Sequence, residues 1–102
     1  MTDALKDIVR PLKTKFSLGV IVATPGALEA LDKAATNAED LLIRHQNWDW
    51  GDIPIEDAEQ NELAVTQGLR ILSNYPLDND VRVWIITEWD RSVTTLLLPE
   101  EY

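Results

Sequence analysis

The chain has 102 residues, with 9 Lys+Arg against 18 Asp+Glu, a formal charge of −9 and 45% hydrophobic residues, the length and balance of one globular domain that buries its own core. Cysteine is absent and His45 is the one histidine, which excludes disulfides, thiolate zinc sites, iron–sulfur clusters, cysteine nucleophiles and multi-histidine metal centres. No apolar run approaches the roughly 20 residues that span a bilayer, and Asp3, Lys6, Asp7 and Arg10 stand where a signal peptide would have its apolar core, so a cytoplasmic protein without membrane contact is expected.

Residues 1–15 space Leu5, Ile8, Val9 and Leu12 at helical intervals and carry Lys6, Arg10, Lys13 and Lys15, and they read as a short basic helix or arm. Residues 16–102 form the single domain. Phe16 to Ala23, rich in Val, Ile and Leu, predicts a strand, and Thr24-Pro25-Gly26 opens a helix with Thr24 as its cap and Pro25 in its first position. Thr36-Asn37-Ala38-Glu39 reads as a capping box before a second helix, with Ala38, Leu41, Leu42 and His45 on one face. The Trp48-Asp49-Trp50-Gly51-Asp52 stretch breaks the period as a turn. A third, more polar helix follows from Ile55 to Gln67 and stops at Gly68.

Three strands then follow, Leu69 to Tyr75, Val81 to Glu88 and Val93 to Leu98, joined by turns short enough to make them antiparallel neighbours. The middle one has apolar residues at both alternations, Val81, Val83 and Ile85 against Trp84 and Ile86, and is expected at the centre of the sheet. The fold class is α+β: a single domain of about three helices packed on one face of a four-stranded, largely antiparallel sheet with a C-terminal meander.

Between Asp49 and Glu62 stand Asp49, Asp52, Glu56, Asp57, Glu59 and Glu62 with no basic residue, which repels a phosphate backbone and argues against direct nucleic-acid binding. Four isolated glycines cannot build a phosphate-binding loop, and no cofactor is expected. His45 with Asp49 one helical turn later resembles a base and its orienter, but no nucleophile goes with them. Glu88 with Asp78 or Asp80 leaves a small metal-dependent hydrolase or nuclease as a minor reading beside a non-enzymatic one. Trp48 and Trp50 serve either as a core lid or as binding anchors, and Trp89 stands at the mouth of the last hairpin beside Arg91. The binding residues selected on this basis are Trp48, Asp49, Trp50, Asp52, Glu56, Glu59, Trp89 and Arg91, facing a protein partner of basic character; a homodimer is also open. The rival is an acidic DNA mimic that blocks a nucleic-acid enzyme.

The stretches SLGVIVATPGALEAL at 17–31, RHQNWDWGD at 44–52, NELAVTQGLRILS at 61–73 and WIITEWDRSVTTLLLPEEY at 84–102 resemble a small, poorly characterised bacterial family of plasmid-related proteins. Some of its members are labelled type I restriction endonuclease subunit M. The resemblance implies occurrence on plasmids or other mobile elements and carries no established activity. A DNA methyltransferase needs a glycine-bearing cofactor loop and an Asn-Pro-Pro-aromatic motif on a much longer fold, and this chain has neither, so the subunit label does not describe its chemistry. At Trp89 the chain departs from the family's pattern, which has a small residue there.

Overall fold

The computed structural model describes residues 14–78 and 80–102, so the basic arm expected over residues 1–15 lies almost wholly outside the described residues. The chain runs β1 (Val20–Ala23), α1 (Pro25–Lys33), α2 (Ala38–Gln46), α3 (Ile55–Gln67), β2 (Ile71–Pro76), β3 (Arg82–Thr87) and β4 (Val93–Leu97), ending in a 3₁₀ turn at Pro99–Glu101. The four strands make one sheet in the order β1-β4-β3-β2. β2, β3 and β4 form the antiparallel meander, while β1 lies parallel to β4, with Val20 opposite Val93 and Ala23 opposite Leu96. The α+β architecture is the expected one, with β3 central and the helices on one face.

Local signals place most of the boundaries. The Thr24 hydroxyl oxygen accepts from the Ala27 amide at 3.0 Å, and Pro25 leads the helix with its fixed φ and no wasted donor. Gly68 ends α3 in the left-handed conformation, φ 69° and ψ 50°, its amide returning to the Ala64 carbonyl. The last three strands shift by one or two residues at their ends, and two earlier boundaries differ for identifiable reasons. Asn37, not Thr36, caps α2 by accepting from the Glu39 amide at 2.9 Å, while the Thr36 hydroxyl turns back to the Ala34 carbonyl. β1 begins at Val20 and not at Phe16, because Gly19 takes φ +64° against the Arg91 and Ser92 backbone, where a Cβ would clash.

Pairing register puts Ile71, Ser73 and Tyr75 of β2, Val83, Ile85 and Thr87 of β3, and Thr94 and Leu96 of β4 on the helix-covered face, all fully or almost fully buried. Tyr75, Val83, Ile85 and Leu96 pack with Ala27 and Leu31 of α1 and Leu41 of α2. A second cluster joins Ile71 to Phe16, Trp50 and Ala64 of α3. Burying an aliphatic side chain of this size contributes about 1.5–3 kcal/mol, so these residues supply most of what offsets chain entropy. On the other face the Tyr102 ring meets Trp84 edge-on at 5.6 Å and its hydroxyl accepts from Arg70 at 2.7 Å. The Glu101 carboxylate accepts from Thr24 Oγ1 at 2.6 Å and the Leu98 amide at 2.8 Å, bonds that hold it below the usual carboxylate range.

Asn61 ties α3 to the outer edge of β2. Its amide donates to the Leu72 carbonyl at 2.7 Å and its Oδ1 accepts from the Leu72 amide at 3.1 Å, which is what a neighbouring strand would do. Asn61→Ala is therefore expected to leave two backbone groups unsatisfied in a partly buried position and to cost about 2 kcal/mol in urea unfolding. A loss under about 0.5 kcal/mol would mean that water replaces both bonds freely.

Candidate functional site

The tryptophan turn follows α2 directly. Trp48 adopts φ +68° and Gly51 φ +78°, and between them the chain reverses so that Trp50 points inward. Phe16, Trp50 and Trp48 stack in series, with centroids 6.2 Å apart at each step and rings within 30° of parallel. His45 meets the edges of Phe16 and Trp50 at 5.2 and 5.9 Å. The Trp48 indole donates to the Thr14 carbonyl at 2.9 Å, so the segment before β1 is stitched over the turn. The buried Trp50 indole N–H meets no acceptor among the described residues, a cost of about 1–3 kcal/mol that its packing exceeds.

The acids of the turn are engaged locally. Asp49 accepts from Arg44 Nε at 2.7 Å and Nη2 at 3.3 Å, and from the Gly51 amide; the Arg44 bond lowers its pKa most. Arg44 also lies 4.6 Å over the Tyr75 ring, whose hydroxyl donates to the Asp49 carbonyl. Asp52 pairs with Arg82 at 2.9 Å. The imagined His45–Asp49 base and orienter is thus not formed.

His45 instead closes a buried chain of hydroxyls. Nδ1 is 2.6 Å from Ser73 Oγ, Nε2 is 2.9 Å from Thr87 Oγ1, Thr87 Oγ1 is 2.8 Å from Thr94 Oγ1, and Thr94 Oγ1 donates to the Leu18 carbonyl at 2.7 Å. That carbonyl can only accept, and it sets the direction of the whole chain. Thr94 spends its proton on Leu18, so Thr87 donates to Thr94; Nε2 must then carry the hydrogen given to Thr87, and Nδ1 accepts from Ser73. The imidazole is neutral, its pKa lowered to about 3 by burial first and by the Arg91 charge second. A Ser–His pair within hydrogen-bond distance invites a catalytic reading, but both side chains are fully buried and no substrate atom could meet the hydroxyl. The arrangement fastens α2, three strands and the N-terminal segment together.

At the hairpin mouth, Trp89 is 65% exposed. Arg91, at φ +60°, donates to the carbonyls of Leu69 at 2.6 Å, Ala64 at 2.8 Å, Glu88 at 3.1 Å and Trp89 at 3.3 Å, and so closes the C-terminal end of α3 against the β3–β4 turn. Glu88 pairs with Arg70 at 3.3 Å. Glu56 and Glu59 stand exposed on α3, as do Asp57 and Glu62, with no ion pair to any described residue. Glu56, Glu59 and Leu63 share one outward face by their i, i+3, i+7 spacing, and the Trp89 carbonyl lies close to Gly68, where the helix ends.

The eight selected residues therefore fall into two groups. Trp48, Asp49, Trp50 and Asp52 are occupied within the fold, and Arg91 is a structural clamp. Glu56, Glu59 and Trp89 face solvent. Leu63 and Leu69, both exposed near the C-terminal end of α3, were missed; the i+4 step from Glu59 to Leu63 was the available signal. Among the described residues no group of three His, Cys, Asp or Glu is placed to hold a metal ion, and no helix is long and apolar enough to cross a membrane. A concavity of about 310 Å³ lies elsewhere, between α1 and the start of β3, lined by Gly26, Glu29, Lys33, Val81 and Leu98 among others. No protein-family model, curated protein or solved structure matches the chain.

Proposed function

We propose that this domain is a non-catalytic binding module whose acidic α3 face and Trp89 together receive a basic protein partner. The observation that carries the reading is the exposure of a tryptophan near the end of a helix whose acids have no counter-charge among the described residues. Aromatic anchors supply most of the energy of small interfaces, and one-signed charge at the rim steers the encounter. With the resemblance to plasmid-related proteins, the module is an accessory factor of a mobile element.

Charge density argues against the DNA mimic. The 13 residues of α3 span about 20 Å at 1.5 Å per residue and hold four acids, about one per 5 Å, whereas duplex DNA carries about one charge per 1.7 Å. The test is affinity capture from the native host with three baits: wild type, Trp89→Ala and Glu56→Lys/Glu59→Lys. A partner retained by wild type and weakened at least tenfold by both variants supports the reading, with the charge variant also losing the salt dependence. A partner indifferent to both variants, or one displaced competitively by duplex DNA, overturns it.

A further inference from the structure

The two edges of the sheet are finished differently. Along β2 the outward backbone groups are closed: Asn61 takes both groups of Leu72, the Asn74 amide donates to Trp50 at 2.9 Å, and the Asn74 carbonyl accepts from Asp52 at 2.7 Å. β1 is the opposite edge and among the described residues has a neighbour on one side only. The amides of Val20 and Thr24 donate to Ser92 and Leu96, each at 3.0 Å, so even positions face β4. By alternation Ile21 and Ala23 aim their N–H and C=O groups outward. Val20, Ile21 and Val22 are 65%, 48% and 44% exposed, and the strand has no charge, proline or bulge of the kind that blunts natural sheet edges.

We propose that β1 pairs antiparallel with β1 of a second copy of this chain across a two-fold axis, joining two four-stranded sheets into one of eight strands. The occupant follows from the strand's own chemistry. Between Val20 and Ala23 there is no polar side chain by which a foreign strand could be selected, whereas a two-fold sets apolar on apolar by itself. Odd positions face outward in both copies, so the hydrogen bonds close only in registers that set odd against odd. With Ile21 opposite Ala23 of the second copy, the two outward amides of each strand find carbonyl partners and Val22 falls opposite its own counterpart.

Charge selects this edge too. Each copy carries −9, and α3, which holds four of the acids, packs against β2 at the far edge. Three strand spacings of about 4.8 Å separate β1 from β2, so pairing through β1 keeps the two acidic helices roughly 30 Å apart or more, over three Debye lengths at physiological salt. Pairing through β2 would bring them together. Two four-residue strands bury less than the roughly 1,200 Å² at which standard interfaces begin, so the dimer exchanges rapidly and forms at about micromolar concentration or above.

The test is sedimentation velocity of the full chain over a thousandfold concentration range, with amide hydrogen exchange at both ends of it. Expected is a reversible shift to twice the chain's 11.5 kDa, with the Ile21 and Ala23 amides protected in the concentrated sample alone and Val20 and Thr24 protected in both. Val20→Lys/Val22→Lys, which leaves exposed positions exposed, is expected to raise the dissociation constant at least tenfold with an unchanged circular dichroism spectrum. A monomer throughout, a dimer indifferent to the lysines, or Ile21 and Ala23 amides protected at every dilution, as when another part of the same chain covers the edge, would each overturn the proposal. If the lysine variant fails to fold, the exchange pattern of the wild type decides alone.

Discussion

Stability is expected to fall as pH drops from about 6.5 toward 4.5, by up to ~1.4 kcal/mol per pH unit, or about 2–3 kcal/mol over that interval. The cause is His45. Its folded pKa is about 3, while the unfolded chain titrates near 6.5, so between these values the unfolded state binds a proton that the native state refuses. Acid therefore favours unfolding, and the contribution is complete above 6.5 and lost as pH falls through the window. Refusal has a structural reason: a protonated Nδ1 would face the Ser73 hydroxyl with a second donor proton, inside a site that water does not reach. Asp49, Asp90 and Glu101, whose carboxyls are held low by hydrogen bonds to Arg44, Ser92 and Thr24, add their own acid sensitivity at lower pH, so the interval above 4.5 reports mainly on the imidazole. Urea unfolding at a series of pH values measures the slope. His45→Gln keeps one donor and one acceptor without titrating there, and its profile should be flat; equal slopes in the two proteins would remove His45 as the cause.

Gly51→Ala should cost about 3–4 kcal/mol, against about 1 kcal/mol for Gly68→Ala. Both glycines have left-handed backbone, φ +78° and +69°, and an L side chain there costs roughly 1–2 kcal/mol in either case. They differ in what a Cβ would meet. At Gly68 the nearest atom is the Trp89 carbonyl oxygen at 3.8 Å, an ordinary contact. At Gly51 the Cβ would run into the Asn74 carbonyl oxygen and lie 2.8 Å from Tyr75 Cδ1. That carbonyl cannot retreat without giving up the Asp52 amide, and Tyr75 is in the middle of the core. Equilibrium unfolding of the pair separates backbone strain from crowding. Equal losses would show that the tryptophan turn yields where these contacts say it should not.

The features read correctly from the sequence are those decided within a few residues. Thr24-Pro25, the Gly68 stop, the bounds of α3 and the meander each depend on local geometry that a window of five residues contains. Phe16 to Leu18 was misjudged as strand because its apolar content belongs to a different contact, the stack with Trp50, that only tertiary packing reveals. The hydroxyl chain was harder still. His45, Ser73, Thr87 and Thr94 lie up to 49 positions apart and come together through strand register. A trace of it exists in the alternation: Ser73, Thr87 and Thr94 take inward positions between Ile71 and Tyr75, after Ile85, and before Leu96. Small hydroxyls on a core face need a shared partner, and the lone histidine on the apolar side of α2 was the residue available to them. Likewise, Trp50 and Trp89 look alike in sequence, and only the Gly51 reversal decides which one turns inward.

The sheet order has a consequence for synthesis. β1 is made first among the strands, yet its neighbour β4 is made last, about 70 positions later. At 5–20 residues per second the Val-Ile-Val-Ala segment waits roughly 4–15 s before the strand that will hold it exists. The β2–β3–β4 meander closes through short turns, so it provides a finished template onto which the oldest part of the nascent chain docks at the end. Crowded translation, with many copies emerging side by side, is the circumstance in which that waiting segment meets its like before it meets β4.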